Sequence, residues 1–141
     1  MRSRKNMVNL NQMVAIVDDD ESIGRAIQRL LRGNGMKAET FSRSEQFLDR
    51  LLSTASYRPA CAVVDFQMPG IDGLELLRRV TPTRVPVILI TASDNLAVRE
   101  IALASGAAGY LRKPFHEASL IKAVKTALVA TPITMERLTP E

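Results

Sequence analysis

Three short runs, MVAIV (13–17), ACAVV (60–64) and PVILIT (86–91), are apolar with no polar alternation. A strand with one wet face alternates apolar and polar residues, whereas a strand covered on both faces reads as a continuous apolar run. Helix-period stretches follow these runs. After the first, Ile23, Ala26, Ile27, Leu30 and Leu31 recur at helical spacing until Gly33 and Gly35. Leu74 to Val80 makes a short helix after the second, and Leu96 to Ser105 a helix after the third, with Gly106 as its stop. MKAETF (36–41) and AGYLR (108–112) read as two further strands. Ser42-Arg43-Ser44-Glu45 has capping-box spacing ahead of a stripe of Phe47, Leu48, Leu51 and Leu52. A closing helix is expected from about Glu117 to Val129, with Leu120, Ile121, Val124 and Leu128 on one face. Strand and helix thus alternate about five times with short connections. That pattern calls for an α/β fold with a parallel sheet covered by helices on both faces.

With 141 residues, 46% hydrophobic and 24% charged, the chain suits one ordinary domain and excludes a disordered one. No apolar run spans a bilayer, and the start lacks the long apolar core of a signal peptide. One cysteine excludes an internal disulfide, and together these features point to a soluble cytoplasmic protein. The formal charge of +4 carries little weight, because its arginines are scattered along helix faces and do not alternate with aromatics.

In parallel sheets of this type the active crevice lies beyond the carboxyl ends of the strands. Asp18, Asp19 and Asp20 follow the first strand, Asp65 ends the third, Thr91 the fourth, and Lys113 closes the fifth. Carboxylates that converge repel one another and titrate as a coupled set, which a hard divalent cation relieves. Oxygen ligands in this number suit Mg²⁺, and no His or Cys cluster offers a zinc site. The competing reading is an acidic run that caps the following helix. We assign Asp20 and Glu21 to the cap, and Asp18 and Asp19, with Asp65, to a metal. Lys113 supplies a compact positive charge and Thr91 a hydroxyl beside the small residues Ala92 and Ser93. The set makes a phosphoryl-transfer site with a carboxylate nucleophile. No Gly-rich P-loop is present.

IVDDD (16–20), VVDFQMPGIDG (63–73), ILITAS (88–93) and GYLRKPF (109–115) resemble the receiver domain of bacterial two-component response regulators, over roughly residues 13 to 129. The resemblance implies a flavodoxin-like doubly wound sheet of order 2-1-3-4-5. It implies that Asp65 is the phosphoacceptor, phosphorylated from a histidine of a partner sensor histidine kinase. Asp19, Asp65 and the backbone carbonyl of Gln67 would ligate Mg²⁺ directly, and Asp18 through water. Thr91 and Lys113 would contact the phosphoryl group. Thr91 and Tyr110 would form a switch, the tyrosine turning inward after phosphorylation and reshaping a docking or dimerisation surface. Gln67 and Ser93 would tune access of the hydrolytic water.

Residues 1–12 read as an N-terminal extension and 130–141 as a linker. The last residues, ERLTPE, resemble the start of the helix-turn-helix output domain joined to receivers of the nitrogen-fixation and nitrate/nitrite regulator type. The resemblance implies the regulatory part of a DNA-binding transcription regulator, the alternative being a stand-alone receiver. DNA would be reached only through that output domain, and the receiver itself would not be an enzyme. His116 reads as a capping or solvated residue and Cys61 as core. Two rival functions stay open. One is a phosphatase resembling the haloacid dehalogenases, with Asp18-x-Asp20 as its motif and Thr91 and Lys113 as partners. The other is an adaptor that docks without phosphorylation.

Overall fold

Three of the five strands run with both faces buried, and the rest of the molecule is arranged to cover them. A computed structural model describes residues 12–92 and 95–138, with side chains as far as Val129. The strands are β1 (Met13–Val17), β2 (Lys37–Phe41), β3 (Cys61–Asp65), β4 (Val87–Thr91) and β5 (Gly109–Arg112). The helices are α1 (Glu21–Gly33), α2 (Ser44–Ser53), α3 (Gly73–Val80), α4 (Leu96–Ala104) and α5 (Glu117–Leu138). A short 3₁₀ turn, Thr81–Thr83, follows α3. All pairings are parallel, in the order β2-β1-β3-β4-β5. This is the doubly wound sheet that the apolar runs and the resemblance imply.

Pleat alternation divides the core in two. Val14, Ile16, Cys61, Val63, Ile88 and Ile90 pack with Ile27 and Leu31 of α1 and with Leu120, Val124 and Leu128 of α5. Ala15, Val17, Ala62, Val64, Val87 and Leu89 face α2, α3 and α4. The cover on that second face is uneven. Phe47, Leu48 and Leu51 come from α2, and Leu76, Leu77 and Val80 from α3, but α4 contributes only Ala102 to the buried set. Leu96, Ile101 and Leu103 of α4 stay exposed. Cys61 is fully buried, as a small core residue, and burial pushes its thiol up to about 12.

Two local expectations are corrected. Ser42 does not cap α2: the N-cap is Arg43, without a side-chain hydrogen bond, and Ser42 Oγ lies 3.4 Å from Gln46 Oε1 instead. The helix α5 runs to Leu138 rather than stopping near Val129. Pro132 forfeits one backbone bond within it, and the good helix formers Met135, Glu136, Arg137 and Leu138 carry the backbone on. Residues 1–11 of the N-terminal extension, Ser93, and the last three residues of the tail lie outside the described residues.

Candidate phosphoryl-transfer site

The parallel ladder sets the positions of the polar residues at its carboxyl edge. One step past β1, the Asp18 N–H donates to the Phe41 carbonyl at 3.0 Å. One step past β3, the Phe66 N–H donates to the Ile90 carbonyl at 2.7 Å, so Asp65 is held in the sheet to its last atom of backbone. The Lys113 N–H donates to the Thr91 carbonyl at 2.7 Å, which places the lysine beside the end of β4. The Lys113–Pro114 peptide is cis.

These placements bring the side chains together. One carboxylate oxygen each from Asp18, Asp19 and Asp65 lies within 4.8 Å of the others. Asp18 and Asp65 are buried and Asp19 is exposed. Lys113 Nζ lies 3.1 Å from Asp65 Oδ1. Thr91 is fully buried at the end of the neighbouring strand. Asp20 stands apart from this group: its carboxylate caps α1, accepting from the N–H groups of Ser22 and Ile23 at 3.0 and 3.2 Å. Those bonds hold its carboxyl below the usual range. The acidic run is thus divided as the sequence suggests, between a cap and a cluster.

Electrostatics within the cluster are unfavourable for full ionisation. Burial pushes the Asp18 carboxyl up to about 6, against a hydrogen bond from the Asp20 N–H to Oδ1 at 2.9 Å, and the Asp65 charge adds to the rise. Asp65 is also raised, by burial first, although the Lys113 ammonium pulls it down. Three carboxylates face one ammonium. The donors are all hard oxygens and their charge is under-compensated, so the residues present fit a hard divalent cation. Two clefts give access. One of about 330 Å³ is lined by Asp19, Arg43, Glu45 and Gly70, and one of about 440 Å³ by Asp18, Gly24, Gln28 and Thr40.

The loop after Asp65 is tightly folded. The Gly73 N–H donates to the Phe66 carbonyl at 2.8 Å, closing its base. A Cβ at Gly73 would sit 2.6 Å from Phe66 Cα and 2.8 Å from the Asp65 carbonyl oxygen, so only glycine fits. Asp72 then caps α3 by accepting from the Glu75 N–H at 2.9 Å. Gln67, within this loop, is exposed. A residue outside the expected set also reaches the loop: Ser44 Oγ donates to the Ile71 carbonyl at 2.8 Å. The sequence carries no distinct signal for it, because the capping-box spacing around it points to Ser42.

Tyr110 packs against the α2–α4 side of the core, on the same face of the sheet as Thr91 by alternation. Its hydroxyl oxygen is buried and has no hydrogen-bond partner among the described residues. The ring already faces inward in this structure. His116 is exposed, and its carbonyl accepts from the Ser119 N–H at 3.0 Å at the start of α5. The phosphatase reading loses its support here, since Lys113 contacts Asp65, the carboxylate that reading leaves without a role.

Comparison with known proteins agrees with this geometry. Residues 14–125 match the family model described as the response regulator receiver domain. The chain is 30% identical over 131 residues to the response regulator protein TmoT of Ectopseudomonas mendocina, covering 92% of this chain and 58% of that protein. It is 34% identical over 120 residues to the response regulator MprA of Mycolicibacterium vanbaalenii, covering 84% and 51%. The chain therefore spans about half the length of the curated relatives it matches. Among solved structures, a response regulator receiver protein from Burkholderia phymatum is 51% identical and superposes with a TM-score of 0.77, over 86% of this chain and 99% of that one.

Proposed function

Because the chain belongs to the response regulator receiver family, we propose that Asp65 is its phosphoacceptor and that the carboxyl edge of the sheet is its reaction site. The phosphoryl donor is the phosphohistidine of a sensor histidine kinase. A carboxylate oxygen of Asp65 attacks phosphorus, the P–N bond breaks, and the imidazole leaves with its electron pair and takes a proton. Lys113 opposes the charge on the transferring oxygens, and the Thr91 hydroxyl donates to one of them. Asp18, Asp19 and the backbone carbonyl of Gln67, with Asp65, are the residues that would hold Mg²⁺. When bound, that ion supplies charge neutralisation for the incoming group. The protein is then a phosphoacceptor that assists its own modification, not an enzyme acting on an outside substrate.

The observation that carries this reading is the 3.1 Å contact between Lys113 Nζ and Asp65 Oδ1 inside a cluster of three carboxylates. A partly exposed lysine beside a buried acid neutralises one of the three carboxylate charges only, which leaves the cluster suited to a cation.

The output is a population shift between conformers. Asp65 and Lys113 lie on the pleat parity of the α1–α5 side, whereas Thr91 and Tyr110 lie on the other, where α4 is held by few buried side chains. Drawing Thr91 toward a phosphoryl group pulls on the face made by α4, β5 and α5. That face serves docking or a phosphorylation-dependent homodimer. We assign residues 13–129 to the receiver, 1–12 to an extension, and 130–141 to a linker whose first part continues α5. Contact with DNA runs through an output domain, and the site of action is cytoplasmic.

Incubation with Mg²⁺ and acetyl phosphate tests the reading. Intact mass should rise by one phosphoryl group, peptide mapping should place it on Asp65, and Asp65→Asn should abolish it. Modification of Asp18 with continued turnover would instead establish a phosphatase, and no adduct with any donor an adaptor.

A further inference from the structure

We infer that Ser44 is a positioning residue for phosphoryl transfer, acting through the loop that follows Asp65. This inference rests on the assignment of the Gln67 carbonyl to the metal site. Ser44 is the first residue of α2, one position past its N-cap Arg43, the position whose side chain ordinarily serves the exposed N–H groups of the helix. Here α2 has no side-chain cap, and the Ser44 hydroxyl points away from it. It donates to the Ile71 carbonyl at 2.8 Å, across 27 residues of sequence, and Ser44 is 1% exposed. Met68 Sδ lies 3.9 Å from the Ser44 Oγ as well.

The neighbouring residue reinforces the contact. Gly70 has φ +79°, and a Cβ there would lie 2.7 Å from Glu45 Oε2. The first two residues of α2 therefore both lie against the loop, Ser44 by a hydrogen bond and Glu45 by the position of its carboxylate beside Gly70. The loop is fixed at its base by the Gly73–Phe66 bond of 2.8 Å and on its far side by Ser44. Gln67 and Met68 lie between these two fixed points, with Met68 buried as a plug. A carbonyl in such a segment is set in place before the ion arrives, so binding need not order it. Ser44 touches neither the phosphoryl group nor the metal. It holds the backbone that does.

Ser44→Ala removes only the hydroxyl and places a good helix former at the helix start, so the fold should survive. The expected effects are roughly three- to tenfold weaker Mg²⁺ binding, the worth of one internal hydrogen bond, and little change in phosphorylation rate at saturating Mg²⁺. Amide hydrogen exchange across residues 67–72 of the metal-free protein should accelerate by a similar factor, while the core strands stay protected. Ser44→Thr, which keeps the hydroxyl, should restore both readouts. Unchanged loop exchange and unchanged Mg²⁺ affinity in Ser44→Ala would overturn the inference, as would an equal loss in Ser44→Thr. Calorimetric titration of the wild type and Asp65→Asn separates the two readings. If Asp65→Asn binds Mg²⁺ as well as the wild type does, the site assignment fails, and Ser44's metal role with it. If only Asp65→Asn weakens binding, the site stands and Ser44 is a structural residue alone.

Discussion

Replacing Asp18 with asparagine should stabilise the metal-free protein. Asp18 is 5% exposed, and burial together with the Asp65 charge pushes its carboxyl from 3.8 to about 6. A rise of that size disfavours the charged form by about 3 kcal/mol. The penalty is shared among coupled carboxylates, and the substitution also forfeits attraction to Lys113, so the net gain should be about 1–2 kcal/mol. The amide oxygen of asparagine can still accept the Asp20 N–H that now lies 2.9 Å from Oδ1. The pH dependence has a definite sign. A carboxyl whose folded pKa exceeds its unfolded value contributes stability that is fully present below about pH 4 and lost as pH rises through about 6. The advantage of Asp18→Asn should therefore vanish near pH 4 and be complete above about pH 7. Urea unfolding in EDTA at pH 8 reads it as a midpoint raised by about 0.5–1 M. Saturating Mg²⁺ should reverse the order, because a ligand of the native state stabilises the wild type by mass action and the variant has lost a carboxylate. A variant no more stable than the wild type in EDTA at pH 8, or equally favoured at pH 4, would refute the claim that repulsion and burial strain this cluster.

Lys113→Met should slow phosphorylation by acetyl phosphate roughly tenfold or more, since one charge-assisted hydrogen bond at the reacting centre is removed. The titration of Asp65, followed by NMR, should move upward at the same time. Gly73→Ala must displace the backbone at Phe66 or Asp65, and should lower stability in urea by about 1–3 kcal/mol or more, with weaker Mg²⁺ binding. Hydrogen exchange in the unmodified protein should be faster in α4 than in α1 or α3, because Ala102 is its only buried residue. Equal protection of the three helices would remove the ground for treating α4 as the responsive element.

The sheet was legible because its signal is redundant. Each central strand is apolar throughout, and β1 and the starts of α1 and α5 fall where the periodicity predicts. The site was legible for a related reason: a polar side chain at the carboxyl end of a strand-like run has few structural uses, and Asp65 and Thr91 end such runs while Lys113 follows the last strand. Contacts between distant loops were not. Nothing local favours Ser44, whose hydroxyl reaches Ile71, over Ser42, whose hydroxyl lies near Gln46. The capping-box spacing from Ser42 to Glu45 points to Ser42, and only the packing of α2 against the β3–α3 loop turns Ser44 inward instead. The end of α5 failed for the opposite reason. Thr131-Pro132 carries a strong local stop signal, yet a proline removes only one bond of a long helix.

The division of the site between the two faces of the sheet explains how a local charge can have a remote effect. Along one parallel strand, successive side chains alternate between faces, so no single strand end can hold both the nucleophile and its reporter on the same side. Asp65 ends β3 on the parity of Val63, against α1 and α5. Thr91 ends the adjacent β4 on the parity of Leu89, against α2, α3 and α4. A hydroxyl donating to a group on Asp65 must therefore reach across from the face where α4 rests. Burial on the first face is deep, with Leu120, Val124, Ala127 and Leu128 of α5 all in the core. On the second it is shallow at α4 alone. If Asp65 is phosphorylated as proposed, movement at the boundary would be resisted by the first face and yielded by the second, which carries the exposed Leu96, Ile101 and Leu103. On the proposed reading, the direction of signalling would follow from that asymmetry of packing, with no feature of the chemistry beyond a charge placed between two strands.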